Sequence, residues 1–151
     1  MPLEPARDHV YCCDVLEHVN DLNRVIAEIA RVLKPAGVFL YDTINRTLLS
    51  KLVVIKIAQE WPATRFVLSN LHDWSMFIRP SELQRVTTRH GLQQREVVGL
   101  RPPLNPIAVL RDMRSFKRGA ISYVELGRRL AFRRTRLRAG AYAGYALKVA
   151  K

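Results

Sequence analysis

One stretch constrains the fold more than any other: DHVYCCDVLEHVNDLNRVIAEIARVLKPAGVFLYDTIN, Asp8–Asn45. It opens with a β-rich run, His9–Cys13, that predicts a short buried strand. A polar loop, Asp14–Asn20, follows. Asp21 or Asn20 then caps a helix of about a dozen residues. Its apolar residues Leu22, Val25, Ile26, Ile29, Val32 and Leu33 recur at the spacing of one helical face. Arg24, Glu28 and Arg31 occupy the opposite face and pair at i, i+4 and i, i+3. Lys34 complements the negative end of the helix dipole, and Pro35 with Gly37 turns the chain. Gly37–Ile44 is apolar enough at its start to predict a parallel strand buried on both faces. Strand, helix and strand with short connections make a right-handed βαβ unit, so the chain is α/β.

The remainder reads as further elements of the same sheet. Thr47–Glu60 predicts a helix whose Leu48, Leu49, Leu52, Val53, Val54, Ile55 and Ile57 cover most of its circumference. Such a helix is either buried or lies on a membrane surface with Lys51 and Lys56 at the headgroups. Pro62–Asp73 is irregular. Pro80–His90 is a helix, with Ser81 and Gln84 as a capping box and Gly91 at its end. Gln94–Leu100 predicts a third strand and Ala141–Val149 a last one. Arg101–Pro106 holds three prolines and is irregular, and Val109–Arg138 is mostly helical with breaks.

At 151 residues the chain is one domain or part of one. Its net charge of +12 is uneven. Residues 111–151 hold twelve Lys/Arg against Asp112 and Glu125, whereas residues 1–110 hold thirteen against eleven acids. The basic region suits an anionic membrane surface, or is a solvated arginine-rich face. Nucleic acid is a poor match, because Arg128–Arg138 has one aromatic, Phe132, and no recognised module around it. Cys12 and Cys13 are adjacent, so in a strand they face opposite ways and do not pair. With no secretory leader pattern and no run of about 20 apolar residues, a reducing cytoplasmic setting is expected.

For chemistry, Asp14, Glu17 and His18 stand at i, i+3, i+4 where the first strand ends, the usual place for α/β chemistry. On one helical turn they would point together and hold a divalent cation. Oxygen donors favour Mg²⁺ or Mn²⁺, and histidine admits Zn²⁺ or Fe²⁺. The same residues also serve elsewhere as caps and solvated charges, and Glu-His is an acid–base pair. No catalytic triad, CxxC pair or Gly-rich phosphate loop is present, and the cysteines lack an electropositive neighbour that would make a nucleophile.

CCDVLEHV, the helix, RVLKPAGVFLYDTINRT, HDW (His72–Trp74), FIRPSEL (Phe77–Leu83), Gly99–Leu100 and Asn105–Pro106 follow in an order that resembles the ubiquinone-biosynthesis O-methyltransferases. These are class I S-adenosylmethionine-dependent enzymes that methylate polyprenyl catechols and phenols. The resemblance covers roughly residues 8–106. It implies the C-terminal portion of a Rossmann-like sheet: strands 4 and 5, then 6 and 7 as an antiparallel hairpin, with flanking helices and the N-terminal strands missing. Residues 1–151 are then a single partial methyltransferase domain, 47–66 a hydrophobic, membrane-interacting insertion, and 107–151 a basic C-terminal region. It also implies S-adenosylmethionine against Cys12, Cys13 and Asp14, and a divalent cation, Mg²⁺ first, on Asp14, Glu17 and His18. His72 or Asp73 would accept a proton, and Asn45 and Arg46 would lie at the substrate mouth. Asp14 stands where Glu is more usual, and Ala36 where the turn usually has Gly. The Gly-rich loop and the ribose-binding acid have no counterpart, so weak or no activity alone is expected, with a missing N-terminal half or a second copy as partner. The expected substrate is a small hydrophobic phenol. The expected place is the cytoplasm, peripheral on the inner face of the membrane. Methylation of another small phenol or lipid, or a non-enzymatic membrane- or nucleic-acid-binding role, are the alternatives.

Overall fold

The computed structural model describes residues 7–62, 65, 70–103 and 105–149. Ala63, Thr64 and Phe66 of the hydrophobic insertion, Leu104 of the proline-rich linker, and Lys151 lie outside the described residues. The elements are β1 (Arg7–Cys12), α1 (Leu22–Val32), β2 (Leu33–Ile44), α2 (Leu48–Ser50), α3 (Pro80–Arg89), β3 (Leu92–Arg101), α4 (Pro106–Lys117), α5 (Tyr123–Arg129), β4 (Arg133–Thr135) and β5 (Ala141–Lys148). Single 3₁₀ turns cover Leu16–His18 and Trp74–Met76.

The sheet order is β1-β2-β5-β3-β4. β1 and β2 run parallel, and β5 is antiparallel to both β2 and β3. The βαβ unit therefore forms as its periodicity requires. Asp21 caps α1 by accepting from the Arg24 amide at 2.9 Å, and Ile26, Ile29 and Ala30 are buried. They pack with Phe39, Tyr41, Leu83, Leu92, Tyr142 and Ala146 in one core on one face of the sheet.

Several elements differ from the sequence reading. β2 alternates instead of being buried throughout: Leu33, Gly37, Phe39, Tyr41 and Thr43 are buried, while Val38, Leu40, Asp42 and Ile44 are half-buried. The expected turn at Pro35–Gly37 persists as a bulge inside β2. Arg7 pairs with Leu33 and His9 with Val38, so the extra residues loop out between the two pairs. Ala36 takes φ +63° there, a conformation that costs a residue with a Cβ about 1–2 kcal/mol. Lys34 anchors the bulge by donating to both Asp8 oxygens at 3.0 and 3.1 Å. The α3 capping contact falls on Arg79, whose amide donates to Glu82 Oε2 at 3.1 Å. Ser81 and Gln84 are already inside the helix, because Pro80 opens it.

The helix expected over Thr47–Glu60 is one α turn followed by a π-helix, Lys51–Glu60. The wide π spacing rotates its apolar residues around the axis, so Ile55 and Ala58 are buried while Leu48, Leu49, Leu52 and Val53 are exposed. The basic region is helical only to Arg129. Arg133–Thr135 instead pairs with Gly99–Arg101 as β4, because a sheet edge offers backbone partners that the local pattern does not reveal. Asn105 caps α4 through the amides of Ile107 and Ala108, both at 3.1 Å.

Candidate functional site at the end of β1 and β2

The loop leaving β1 makes a 3₁₀ turn that swings Glu17 under the C-terminal end of β2. Glu17 is 1 % exposed. Its Oε2 accepts from Thr43 Oγ1 at 2.8 Å, while Oε1 is buried with no partner. Burial raises its pKa above the ordinary carboxylate value, against hydrogen bonds from the backbone and Thr43. His72 arrives from the segment after the π-helix. Gln59 holds its backbone on both sides: the His72 amide donates to Oε1 at 2.8 Å and the Gln59 amide nitrogen donates to the His72 carbonyl at 3.1 Å. The His72 ring lies 5.2 Å from that of His18 and 6.1 Å, edge-on, from that of Phe77. Its Nδ1 is also buried and unpartnered. Burial, then the neighbouring His18, lowers its pKa and favours the neutral imidazole.

One donor atom from each of Glu17, His18 and His72 falls within 4.8 Å of the others. An imidazole pair and a carboxylate with unused lone pairs fit a divalent cation. The expected set was different. Asp14 lies outside this cluster, because it precedes the 3₁₀ turn with φ +52° and its amide donates to Asp42 Oδ1 at 2.9 Å. Burial at the loop and the Asp42 carboxylate raise the Asp14 pKa.

The other candidate residues occupy separate places. Cys12 is buried at the end of β1 and Cys13, just beyond it, is exposed. Partial burial, then Asp42, pushes the Cys13 thiol up to about 11, the opposite of an activated nucleophile. Asp73 caps the Trp74–Met76 turn, with Oδ1 accepting from the Ser75 amide and hydroxyl at 2.8 and 2.7 Å. Those hydrogen bonds lower its pKa. Trp74 turns away from His72 and donates to the Thr47 carbonyl at 2.9 Å. Asn45 donates to the Arg138 carbonyl at 2.5 Å. Arg46 forks onto both oxygens of Glu82 at 2.8 and 2.6 Å and reaches the Ser75 carbonyl at 3.0 Å. Both line a cleft of about 470 Å³ together with Arg79, Gln84, Gln94 and Arg138. The sequence offered His72 as a base and gave no sign that it lies beside Glu17 and His18. The signal available was a second histidine in HDW, 54 residues from His18, with nothing local to join the two.

The family model described as "Methyltransferase domain" matches residues 1–41. A protein named ubiquinone biosynthesis O-methyltransferase from Burkholderia pseudomallei is 39 % identical over 95 residues, 63 % of this chain and 40 % of the relative. Its namesake from Alkalilimnicola ehrlichii is 38 % identical over 110 residues, 72 % of this chain and 44 % of the relative. Over these stretches the chain is similar to proteins named ubiquinone biosynthesis O-methyltransferase. It spans about two fifths of the length of the curated relatives it matches. Among solved structures, an S-adenosylmethionine-dependent methyltransferase from Methanosarcina mazei superposes with a TM-score of 0.56 at 13 % identity, covering 98 % of this chain and 62 % of that one. The fold is therefore that of the class I methyltransferases. β1 and β2 pair side by side where the resemblance implies strands 4 and 5, and β3 and β5 pair antiparallel as the implied hairpin of strands 6 and 7.

Proposed function

We propose that this chain supplies the substrate side of an S-adenosylmethionine-dependent O-methyltransferase acting on a polyprenyl catechol or phenol. The observation that carries the reading is the similarity to the O-methyltransferases over 95 residues, beside a methyltransferase-domain match over residues 1–41, which include Glu17 and His18. When bound, the cofactor supplies an electrophilic methyl group, and a divalent cation supplies charge that lowers a phenol's pKa and orients it. Glu17 and His18 would hold the cation, with Thr43 aiming the Glu17 carboxylate. The phenol's proton leaves through His72 or Asp73. Asn45 and Arg46 shape the mouth of the cleft.

For the cofactor itself the fit is one-sided. Cys12, Cys13 and Asp14 offer one edge of a site and no glycine-rich cradle. The 151 residues alone are expected to bind S-adenosylmethionine very weakly, and micromolar affinity in a calorimetric titration would overturn that. Mixing the chain with the upstream half of the Burkholderia pseudomallei relative should yield methylated catechol from labelled cofactor. A mixture that makes none, with both halves folded, would count against the assignment.

No described helix is long and apolar enough to cross a membrane. A peripheral role is supported by the outward face of the α2 and π-helix segment, where Leu48 is 80 % and Leu52 53 % exposed. Lys51 lies over the Trp74 ring at 4.6 Å and Lys56 pairs with Glu60 at 2.6 Å, so the apolar residues rather than these lysines would carry insertion. The basic C-terminal region adds attraction to anionic lipid. Co-sedimentation with anionic vesicles should fall sharply in Leu52→Glu; unchanged sedimentation would sink the membrane reading.

A further inference from the structure

We propose that the cleft between the end of β2, the start of α3 and the residues leading into β5 is a binding site for a phosphate group, held by Arg79 and Arg138. The inference goes beyond the methyl-transfer reading, because phosphate binding in this cleft stands or falls without any methyl transfer.

The cleft's charge is unbalanced. It encloses about 470 Å³, within the range of small-molecule sites. Arg46, Arg79 and Arg138 line it, and among the described residues no lining residue is acidic. One of the three charges is offset: Arg46 forks onto Glu82 at 2.8 and 2.6 Å. Glu82 also acts on Arg79 electrostatically, but both of its oxygens are taken by Arg46. Neither Arg79 nor Arg138 forms an ion pair of its own among the described residues. Two uncompensated guanidinium groups in one concave space repel each other and focus a positive field, which an anion relieves.

The backbone fixes where both arginines start. Asn45, 9 % exposed, donates from its side chain to the Arg138 carbonyl at 2.5 Å. Its amide donates to the Gly140 carbonyl at 2.9 Å, and Thr47 Oγ1 donates to the Ala139 carbonyl at 2.5 Å. Arg79 stands immediately before α3, where its carbonyl accepts from the Glu82 and Leu83 amides at 2.9 and 3.1 Å. Pro80 and Ser81, the first residues of that ten-residue helix, also line the cleft. The positive end of the helix dipole therefore adds to the two guanidinium groups.

The lining decides the class of anion. A neutral phenol with an apolar tail gains nothing from two guanidinium groups. A carboxylate offers two oxygens and a single charge. A phosphate group offers three free oxygens and close to two charges, so it can accept from both arginine forks and face the helix N-terminus at once. Soluble phosphate esters and lipid headgroups both carry that group.

The test titrates the full chain calorimetrically with inorganic phosphate, glycerol 3-phosphate and acetate at constant ionic strength. Each phosphate should bind at one equivalent, and acetate at least about tenfold more weakly. Phosphate at about 100 times its Kd should raise the melting temperature by roughly 5–10 °C, and chloride of equal ionic strength should not. Arg79→Gln and Arg138→Gln should each weaken phosphate binding by about tenfold or more, as loss of a charged hydrogen-bond donor does. Both side chains are exposed, so the circular dichroism of the parent should persist. Arg128→Gln removes the same charge from an exposed position on α5 and should stay within about threefold. Sedimentation with phosphatidylcholine vesicles, with and without phosphatidate, separates the two sources. Binding to phosphatidate that needs Arg79 and Arg138 assigns a lipid headgroup; binding of the soluble phosphates alone assigns a free ester. No heat and no melting shift with phosphate, acetate binding as well as phosphate, or equal losses in Arg128→Gln and Arg79→Gln would each overturn the proposal.

Discussion

Gly144→Ala is expected to destabilise the chain by about 3 kcal/mol, near the upper end for forced overpacking. That lowers the melting temperature by about 6–12 °C for a domain of this size. Gly144 sits on β5 between Tyr41 of β2 and Val97 of β3. An added Cβ would meet the Glu96 carbonyl oxygen and the Tyr41 hydroxyl, each at 2.6 Å. Neither neighbour is free to retreat. The carbonyl belongs to Glu96, which pairs with Tyr145 of β5, and the hydroxyl accepts from Gln94 at 2.7 Å. The Tyr41 ring also packs on Phe39 at 5.2 Å and edge-on to Tyr142 at 6.4 Å. The absent side chain at Gly144 is thus the space that lets an aromatic ring lie flat across the centre of the sheet. Gly127→Ala is the control. It lies in α5 with nothing within 4 Å of its added Cβ, so removing a helical glycine should stabilise slightly, by about 0.5–1 kcal/mol. Thermal melts of the two variants check both signs. Gly144→Ala melting like the parent would mean that Tyr41 packs elsewhere.

How much of this was legible in the sequence depends on how far apart the interacting residues are. Most of α1 was readable, because its stripe and its cap, Asp21 of the two candidates, are local; its end was not, since Leu33 and Lys34 belong to β2 and Lys34 pairs with Asp8. β3 and β5 were readable as strands, since Gln94–Leu100 and Ala141–Val149 carry β-rich or alternating patterns. Their adjacency was not readable from pattern and came from the resemblance. The π-helix could not be read, since the same apolar residues at a 3.6 period predict an ordinary helix. β4 was hidden because Arg133–Thr135 has no strand pattern and owes its conformation to the free edge of β3. The Pro35–Gly37 turn was correctly located, yet a turn and a strand bulge share the same residues and differ only in what pairs around them.

The candidate site divides in the same way. Glu17 and His18 are adjacent in sequence and were found together. The i, i+3, i+4 argument then placed Asp14 with them by assuming one continuous helical turn. The turn is shorter and of 3₁₀ type, starting at Leu16, so Asp14 falls outside it. His72 joins only through Gln59, a buried polar residue in a segment that otherwise looks apolar, and no spacing rule links the two.

Thr43→Val should destabilise the metal-free chain by about 1–3 kcal/mol, because it removes the side-chain hydrogen bond of a buried carboxylate and leaves it only the backbone's. The change is nearly isosteric, so little packing is lost and the effect isolates the Thr43–Glu17 bond. Glu17→Leu removes the buried carboxylate but strands the Thr43 hydroxyl, and its net effect should be small. The double variant Glu17→Leu with Thr43→Val removes both partners and fills the space with apolar atoms. It should be more stable than the parent by about 1–3 kcal/mol, as when buried ionic groups give way to well-packed hydrophobic ones. Urea denaturation of the four proteins closes the cycle, and the expected coupling is strongly non-additive because the residues touch. A residue kept at a cost to stability, at the end of two parallel strands and beside two imidazoles, is what a ligand-binding carboxylate looks like before its ligand arrives. If instead Thr43→Val melts with the parent and the double variant is the least stable of the four, Glu17 is a structural residue and its second oxygen is satisfied by solvent.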